Sequence, residues 1–178
     1  MPLETANYYV ALGIFVLQIL GIGFLVLFLI KHRFSDLQPI ADFLGKWGLW
    51  IGLLLSLGAT AGSLYYSEIL GILPCGLCWL QRIFLYPQVI LFALAIWKKD
   101  SGIANYIIAL SIPGALTGLY QHYIQMGGSN VLPCPAVTTA ADCAQRFMFE
   151  FGYITFPFAV FVLFAFLIIL MSFVRRRV

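Results

Sequence analysis

Charged residues are scarce in this chain: Asp, Glu, Lys and Arg make up 10% of its 178 residues, whereas 62% are hydrophobic. Soluble domains carry about a quarter charged residues, so this composition excludes an ordinary soluble globular protein. The sequence also lacks internal repeats, low-complexity tracts and any polar stretch long enough for a separate soluble domain. We therefore predict an all-α integral membrane protein.

Five apolar stretches are long enough to cross a bilayer as helices. Each crossing needs about 20 apolar residues, because lipid offers the backbone no hydrogen-bond partner. The stretches are Tyr8–Ile30, Trp47–Tyr66, Trp79–Trp97, Ile103–Ile124 and Tyr153–Val174. They predict a four-helix transmembrane bundle over residues 35–178, with outer loops at 67–78 and 126–151. One additional N-terminal transmembrane helix is predicted within residues 1–34.

The segment before the first apolar stretch has no Lys or Arg, although a cleaved signal peptide begins with positive charge. Glu4 precedes the stretch, and Lys31 and Arg33 follow it. The apolar run is also longer than the roughly 7–15 residues of a signal-peptide core. We expect this segment to be a membrane anchor.

Basic residues are nearly missing from one side of the predicted topology. Eight of the ten Lys and Arg residues flank the first and third connections or the C-terminus, and only Arg82 and Arg146 fall on the other side. The positive-inside rule then predicts an outside N-terminus and a cytoplasmic C-terminus. All the cysteines are predicted to lie on the extracytoplasmic side.

The chain has only four cysteines, Cys75, Cys78, Cys134 and Cys143. Outside the cytoplasm thiols persist as disulfides, and four cysteines allow three connectivities, of which proximity favours Cys75–Cys78 and Cys134–Cys143. Two thiol pairs on one membrane face suggest electron transfer between a soluble dithiol and a molecule dissolved in the bilayer. The weaker alternative is zinc binding by the four thiols, and we expect no metal site. Haem attachment is excluded, because Trp79 follows the second cysteine where a His is needed.

The Cys75–Cys78 motif stands at the start of a predicted helix, where the helix dipole favours a thiolate. Arg82 follows Cys78 by four residues, and a charged residue inside an apolar stretch indicates a functional site. It could stabilise a Cys78 thiolate and donate to a quinone oxygen, or it could snorkel to lipid headgroups. His122 could hydrogen-bond or protonate a quinone oxygen, or it could be an interfacial histidine satisfied by water.

Two further patterns give structural predictions. Gly58 and Gly62, like Gly114 and Gly118, place small residues four apart, and this spacing favours close helix packing in lipid. Apolar and polar residues alternate between positions 139 and 151, which predicts a short helix at the membrane interface.

The residues around the cysteines resemble the DsbB family of disulfide bond formation membrane proteins. The resemblance rests on Leu73-Pro74-Cys75-Gly76-Leu77-Cys78-Trp79-Leu80-Gln81-Arg82, on Tyr120-Gln121-His122, and on Asp142-Cys143-Ala144-Gln145-Arg146 followed by Phe156-Pro157. It covers about residues 47–174, so the first predicted helix has no counterpart, and we predict no role for it.

The resemblance implies a quinone-dependent protein-disulfide oxidoreductase in a bacterial inner membrane. Electrons from a reduced DsbA-like, thioredoxin-fold partner would pass through Cys134 and Cys143 to Cys75 and Cys78. They would then reach a membrane quinone, ubiquinone or menaquinone, held by Arg82 and His122. Lipid and the quinone pool are further partners, and no nucleic acid is expected. Two alternatives stay open: a membrane reductase running outward from quinol, and a non-catalytic scaffold with structural disulfides.

Overall fold

The computed structural model describes residues 3–30, 37–129 and 142–175. The five helices are α1 (Leu3–Ile30), α2 (Gln38–Leu64), α3 (Gly76–Lys98), α4 (Ile103–Gln125) and α5 (Phe156–Arg175). A single π-helical turn, Tyr65–Ile69, extends α2. Each of the five is long and apolar enough to cross a membrane, which confirms the predicted all-α membrane fold.

Helix α5 is the centre of the bundle, because it packs against α4, α2 and α1. Its fully buried side chains include Phe164, Leu167 and Leu170. Helix α1 lies outside the four-helix core and contacts α5 through aromatic pairs, with the rings of Phe24 and Phe166 5.7 Å apart. The additional N-terminal helix is therefore packed on the bundle along the face of α5.

The glycine pair of α4, Gly114 and Gly118, and the pair of α2, Gly58 and Gly62, differ in how closely other residues pack against them. A Cβ at Gly118 would lie 2.9 Å from the carbonyl oxygen of Pro157, so α4 and α5 approach closely there, as predicted. A Cβ at Gly58 or Gly62 would meet nothing within 4 Å. The packing prediction is wrong for this second pair, because a cavity separates that part of α2 from its neighbours.

The cysteine end of the bundle is the end at which α2 and α4 finish and α3 and α5 begin. Residues 70–75 join α2 to α3 there, and Gly71 takes a positive φ of 69° that favours glycine.

The interfacial helix predicted over residues 139–151 is wrong for residues 142–151, which form turns, a bend and an isolated bridge between Glu150 and Ile154. Positions 139–141 lie outside the described residues. Backbone carbonyls in this segment accept hydrogen bonds from other helices: Asn7 donates to Phe147, and Gln125 donates to Gln145. Met148 is buried in a cluster that includes Ala11 of α1 and Ala159 of α5. Contacts with α1, α4 and α5 thus hold the segment in a non-helical conformation.

Candidate functional site

Helix α3 begins immediately after Cys75, which is its N-cap. The backbone of Cys75 is extended, and its Sγ accepts a hydrogen bond from the Cys78 N–H at 3.3 Å. This bond satisfies one of the N–H groups that every helix start leaves without an intrahelical partner. It also brings the two sulfurs together: both thiols are free, and the Sγ atoms lie 2.7 Å apart.

The two thiols differ in their surroundings. Both residues line a cavity, but Cys75 is buried, whereas Cys78 is half-buried. The hydrogen bond with Cys78 raises the pKa of Cys75, and burial raises it further. Cys75 therefore keeps its proton at neutral pH and can donate it to the sulfur of Cys78. The less buried sulfur, that of Cys78, is the one that can carry negative charge.

Gln121 of α4, which the sequence reasoning missed as a site residue, connects both sulfurs to the bundle. Its Nε2 donates to Cys75 Sγ at 3.1 Å and to Cys78 Sγ at 3.4 Å. Its Oε1 accepts a hydrogen bond from Gln81 Nε2 at 2.7 Å, which fixes the orientation of the amide. Gln81 and Gln121 are both buried, so the hydrogen bond between them is shielded from water.

We expect Gln121→Met to slow oxidation of the reduced cysteine pair about tenfold. The variant keeps a flexible side chain of similar size but loses the donor to sulfur, and a hydrogen bond to a charged group contributes about 1.5–3 kcal/mol. The pKa of Cys75 should rise further, because the hydrogen bond from Gln121 lowers it. Stopped-flow quinone reduction and the pH dependence of thiol alkylation measure both effects. Leu119→Ala, on an exposed face of the same helix, is the control and should change neither.

Arg82 is held at the edge of the same cavity by neutral groups. Its Nε donates to Ser63 Oγ at 3.0 Å, and one terminal nitrogen donates to the Ser63 carbonyl at 3.0 Å. Its guanidinium lies 5.2 Å from the ring centre of Trp79. Ser63, on α2, is a second residue that the sequence reasoning missed. The positive charge is therefore fixed one helical turn beyond Cys78 and lines the cavity.

The last cysteine lies in the same buried cluster as the first. Cys143 is fully buried and belongs to one apolar cluster with Cys75, Leu77 and Ile124. It is disulfide-bonded. Gln125, the last residue of α4, holds the segment around Cys143 in place. It donates hydrogen bonds to the carbonyls of Cys143 and Gln145 at 3.4 and 2.9 Å. Cys134, the predicted partner of Cys143, lies outside the described residues.

A cavity of about 460 Å³ opens beside the cysteine pair and is lined by residues of all five helices. Small-molecule sites commonly span about 300–1,000 Å³. Thiol, guanidinium and amide groups of Cys78, Arg82 and Gln121 contribute to the lining, and most of the exposed wall is apolar. Hydrogen-bond donors in a largely apolar wall fit a ring that carries carbonyl oxygens and an apolar tail. A quinone has this chemistry, so the residues present fit the acceptor predicted from the sequence.

His122 lies apart from this constellation. Its Nδ1 is 2.9 Å from Thr155 Oγ1, and its ring lies 4.9 Å from that of Phe158, so it faces α5. Gln121, the preceding residue, lines the cavity and His122 does not. Contact between His122 and a quinone stays a prediction.

Comparison with known proteins agrees with the geometry. Residues 45–174 match the family model described as disulfide bond formation protein DsbB. The chain is 34% identical to disulfide bond formation protein C of Bacillus subtilis over 130 residues, covering 71% of this chain and 91% of that protein. It is 42% identical to probable disulfide formation protein C 1 of Bacillus cereus over 100 residues, covering 56% and 71%. No solved structure gives a significant match.

Proposed function

Because the chain belongs to the DsbB family of disulfide bond formation proteins, we propose that it is a quinone-linked thiol oxidase that reoxidises a soluble thioredoxin-fold disulfide donor. Family membership and the five apolar helices make it a multi-pass membrane protein of disulfide bond formation, with an oxidoreductase role. The electron acceptor, the soluble partner, the order of the cysteines and the membrane orientation are the proposed parts.

The observation that carries the proposal is the position of the reduced Cys75–Cys78 pair. Cys75 shares a buried cluster with Cys143, and Cys78 lines the apolar cavity beside Arg82. Thiol–disulfide exchange proceeds by attack of a thiolate on a disulfide sulfur, so successive cysteines must approach one another. A chain of cysteines that leads from a connecting segment to an apolar cavity suits transfer between a soluble dithiol and a lipid-soluble acceptor.

The proposed exchange begins at the Cys134–Cys143 disulfide. A thiolate of the reduced partner attacks Cys134 and forms a mixed disulfide, which releases Cys143 as a thiolate. The second partner thiol then attacks the mixed disulfide, and the partner leaves with its own disulfide and Cys134 as a thiol. Cys143 attacks Cys75 of an oxidised Cys75–Cys78 pair and releases Cys78; Cys134 then closes the disulfide with Cys143 and frees Cys75. The net result is a two-electron transfer from the partner to Cys75 and Cys78.

Arg82, Ser63 and Gln121 prepare Cys78 for the last step. A quinone, when bound, supplies an acceptor for two electrons and two protons. Arg82 would hold a carbonyl oxygen of the ring, because its guanidinium carries donors in a fixed plane and Ser63 fixes its position. Gln121 donates to Cys78, and Cys75 provides a proton next to it. Closing the Cys75–Cys78 disulfide restores the starting state.

We also propose that the cysteine end faces the extracytoplasmic side. Lys98 and Arg175 lie at the opposite end of the bundle, where α3 and α5 finish. The positive-inside rule then directs that opposite end to the cytoplasm. With the cysteine end outside, a soluble partner in an oxidising compartment reaches the loop that carries Cys134.

The test is an anaerobic assay with purified protein in detergent, a reduced thioredoxin-fold protein and ubiquinone or menaquinone. We expect quinone absorbance to fall with one equivalent of partner disulfide formed per quinone reduced. Quinone that stays oxidised while the partner stays reduced would overturn the oxidase. Reduction of the partner's disulfide at the expense of added quinol would instead establish a reductase.

Replacement of Arg82 separates the oxidase from a scaffold with structural disulfides. We expect Arg82→Met to raise KM for quinone about 10- to 100-fold, because a charge-assisted hydrogen bond to the ring is lost. Arg146→Met is the matched control: Arg146 is an exposed arginine near the cysteine end that stacks on Phe149 at 4.8 Å. Unchanged quinone kinetics in Arg82→Met would remove Arg82 from the acceptor site.

A further inference from the structure

We propose that α1 forms one wall of the acceptor cavity and thereby selects quinones by their apolar tails. This inference rests on the proposed function, which assigns the cavity to a quinone. The family match begins at residue 45, so α1 lies outside the segment that defines the family. Nevertheless, residues of α1 line the cavity together with residues of α2, α3 and α5.

One face of α1 carries the lining residues. They are Tyr9, Val10, Gly13, Ile14 and Leu17. Their spacing of three and four residues is that of a single helical face, and all but Tyr9 are aliphatic or glycine. The surface that α1 turns to the cavity thus matches an apolar tail rather than a polar ring.

Hydrogen bonds on both sides of this face hold α1 in place. Asn7 accepts a hydrogen bond from the Tyr66 hydroxyl at 2.9 Å and donates to the Phe147 carbonyl at 2.9 Å. Further along the helix, Gln18 accepts from the Tyr153 hydroxyl at 3.1 Å. Polar side chains in apolar helices associate in this way, because lipid offers them no partner. The wall is therefore joined to α2 and to the segment before α5.

Three glycines leave room inside the cavity. Gly13 of α1 and Gly58 and Gly62 of α2 all line it, and a Cβ at any of the three would meet nothing within 4 Å. Helix α1 packs along α5, so the space between α1 and α2 stays open where these glycines lie. We infer that the quinone tail lies between the glycines of α1 and α2, with the ring near Cys78 and Arg82.

The experiment fills the cavity from the side of α1. Gly13→Leu and Gly13→Phe are compared with Gly23→Leu, a matched control on the same helix that also has open space but does not line the cavity. Leu is a better helix former than Gly, so these variants should fold. The readout is the equilibrium Kd for quinone, from quenching of tryptophan fluorescence, with Trp79 beside Arg82 as a native reporter.

We expect Gly13→Leu to weaken binding of a long-tailed quinone about 10- to 100-fold, and Gly13→Phe to weaken it more, because added bulk displaces the tail. A tailless quinone should bind within about twofold of wild type, since its ring lies at Cys78 rather than at α1. Gly23→Leu should change neither Kd. Equal weakening of tailless and long-tailed quinones would overturn selection by the tail.

Gly58→Leu separates failure of this inference from failure of the proposed function. We expect it to weaken long-tailed quinone binding as Gly13→Leu does, because both side chains enter one cavity. Weakening by Gly58→Leu without any by Gly13→Leu would overturn the wall formed by α1 and leave the quinone site intact. A wild-type protein that binds no quinone would overturn both.

Discussion

Replacing Cys78 with Ser is expected to lower partner-driven quinone reduction by at least about 1,000-fold, since removal of a nucleophile from other covalent enzymes has effects of this size or larger. Both thiols of the pair line the cavity, but Cys78 is half-buried, whereas Cys75 is buried and its pKa is raised. A serine hydroxyl can accept the hydrogen bond from Gln121, so the surrounding structure should persist. In the proposed path, however, the electrons lose the sulfur through which they leave the protein.

The measurement is anaerobic quinone absorbance with reduced partner, together with the thermal unfolding midpoint of the variant. Cys75→Ser is the companion variant: it should also stop turnover, but it keeps a free thiol that iodoacetamide modifies from the cavity side. Sustained turnover in Cys78→Ser would place the exit of electrons elsewhere. An unchanged midpoint with lost turnover assigns the effect to chemistry rather than to folding.

Much of this site follows from the order of residues along α3. The spacing of Cys75, Cys78 and Arg82 places two thiols and a cation at one helix start, because Pro74 ends the extended connection and a helix repeats every 3.6 residues. The five crossings follow from hydrophobic length alone. Both features are local, so sequence patterns suffice to predict them.

The contacts that organise the site depend on neighbouring helices, and local patterns do not contain them. Gln121 reaches the sulfurs from α4, and Ser63 positions Arg82 from α2. One signal was present: Gln121 and Gln125 stand four residues apart in an apolar stretch, and buried amides in lipid face protein partners. The packing prediction for Gly58 and Gly62 was wrong, because small residues permit two outcomes. They allow close contact when a partner helix is near, and they leave open space when it lies further away.

The position of α1 in the bundle also could not be predicted from local sequence patterns. Its length predicted a crossing, but its packing along α5 and the hydrogen bonds that Asn7 and Gln18 accept arise from tertiary contacts. Without those contacts, one side of the cavity would face lipid directly. The additional helix therefore forms part of the wall of the proposed acceptor site without contributing a redox group to it.

Replacing Cys143 with Ser is expected to abolish partner-driven turnover while leaving the second half of the electron path intact. Cys143 is buried in the cluster that contains Cys75, so in the proposed path it passes electrons to that residue. Steady-state quinone reduction with the partner should fall by at least about 1,000-fold, as for loss of any covalent relay group.

The number of cysteine pairs sets how many equivalents of quinone each variant can reduce. The four cysteines of the fully reduced wild-type chain hold two dithiols, so it should reduce two equivalents of quinone in a single anaerobic burst. Fully reduced Cys143→Ser should reduce one equivalent, at the wild-type rate of the first phase, because Cys75, Cys78 and Arg82 are unchanged. A Cys143→Ala variant is the control for the hydroxyl and should behave identically. If either variant sustains partner-driven turnover, the partner delivers electrons directly to Cys75 and Cys78, and the disulfide of Cys143 is structural.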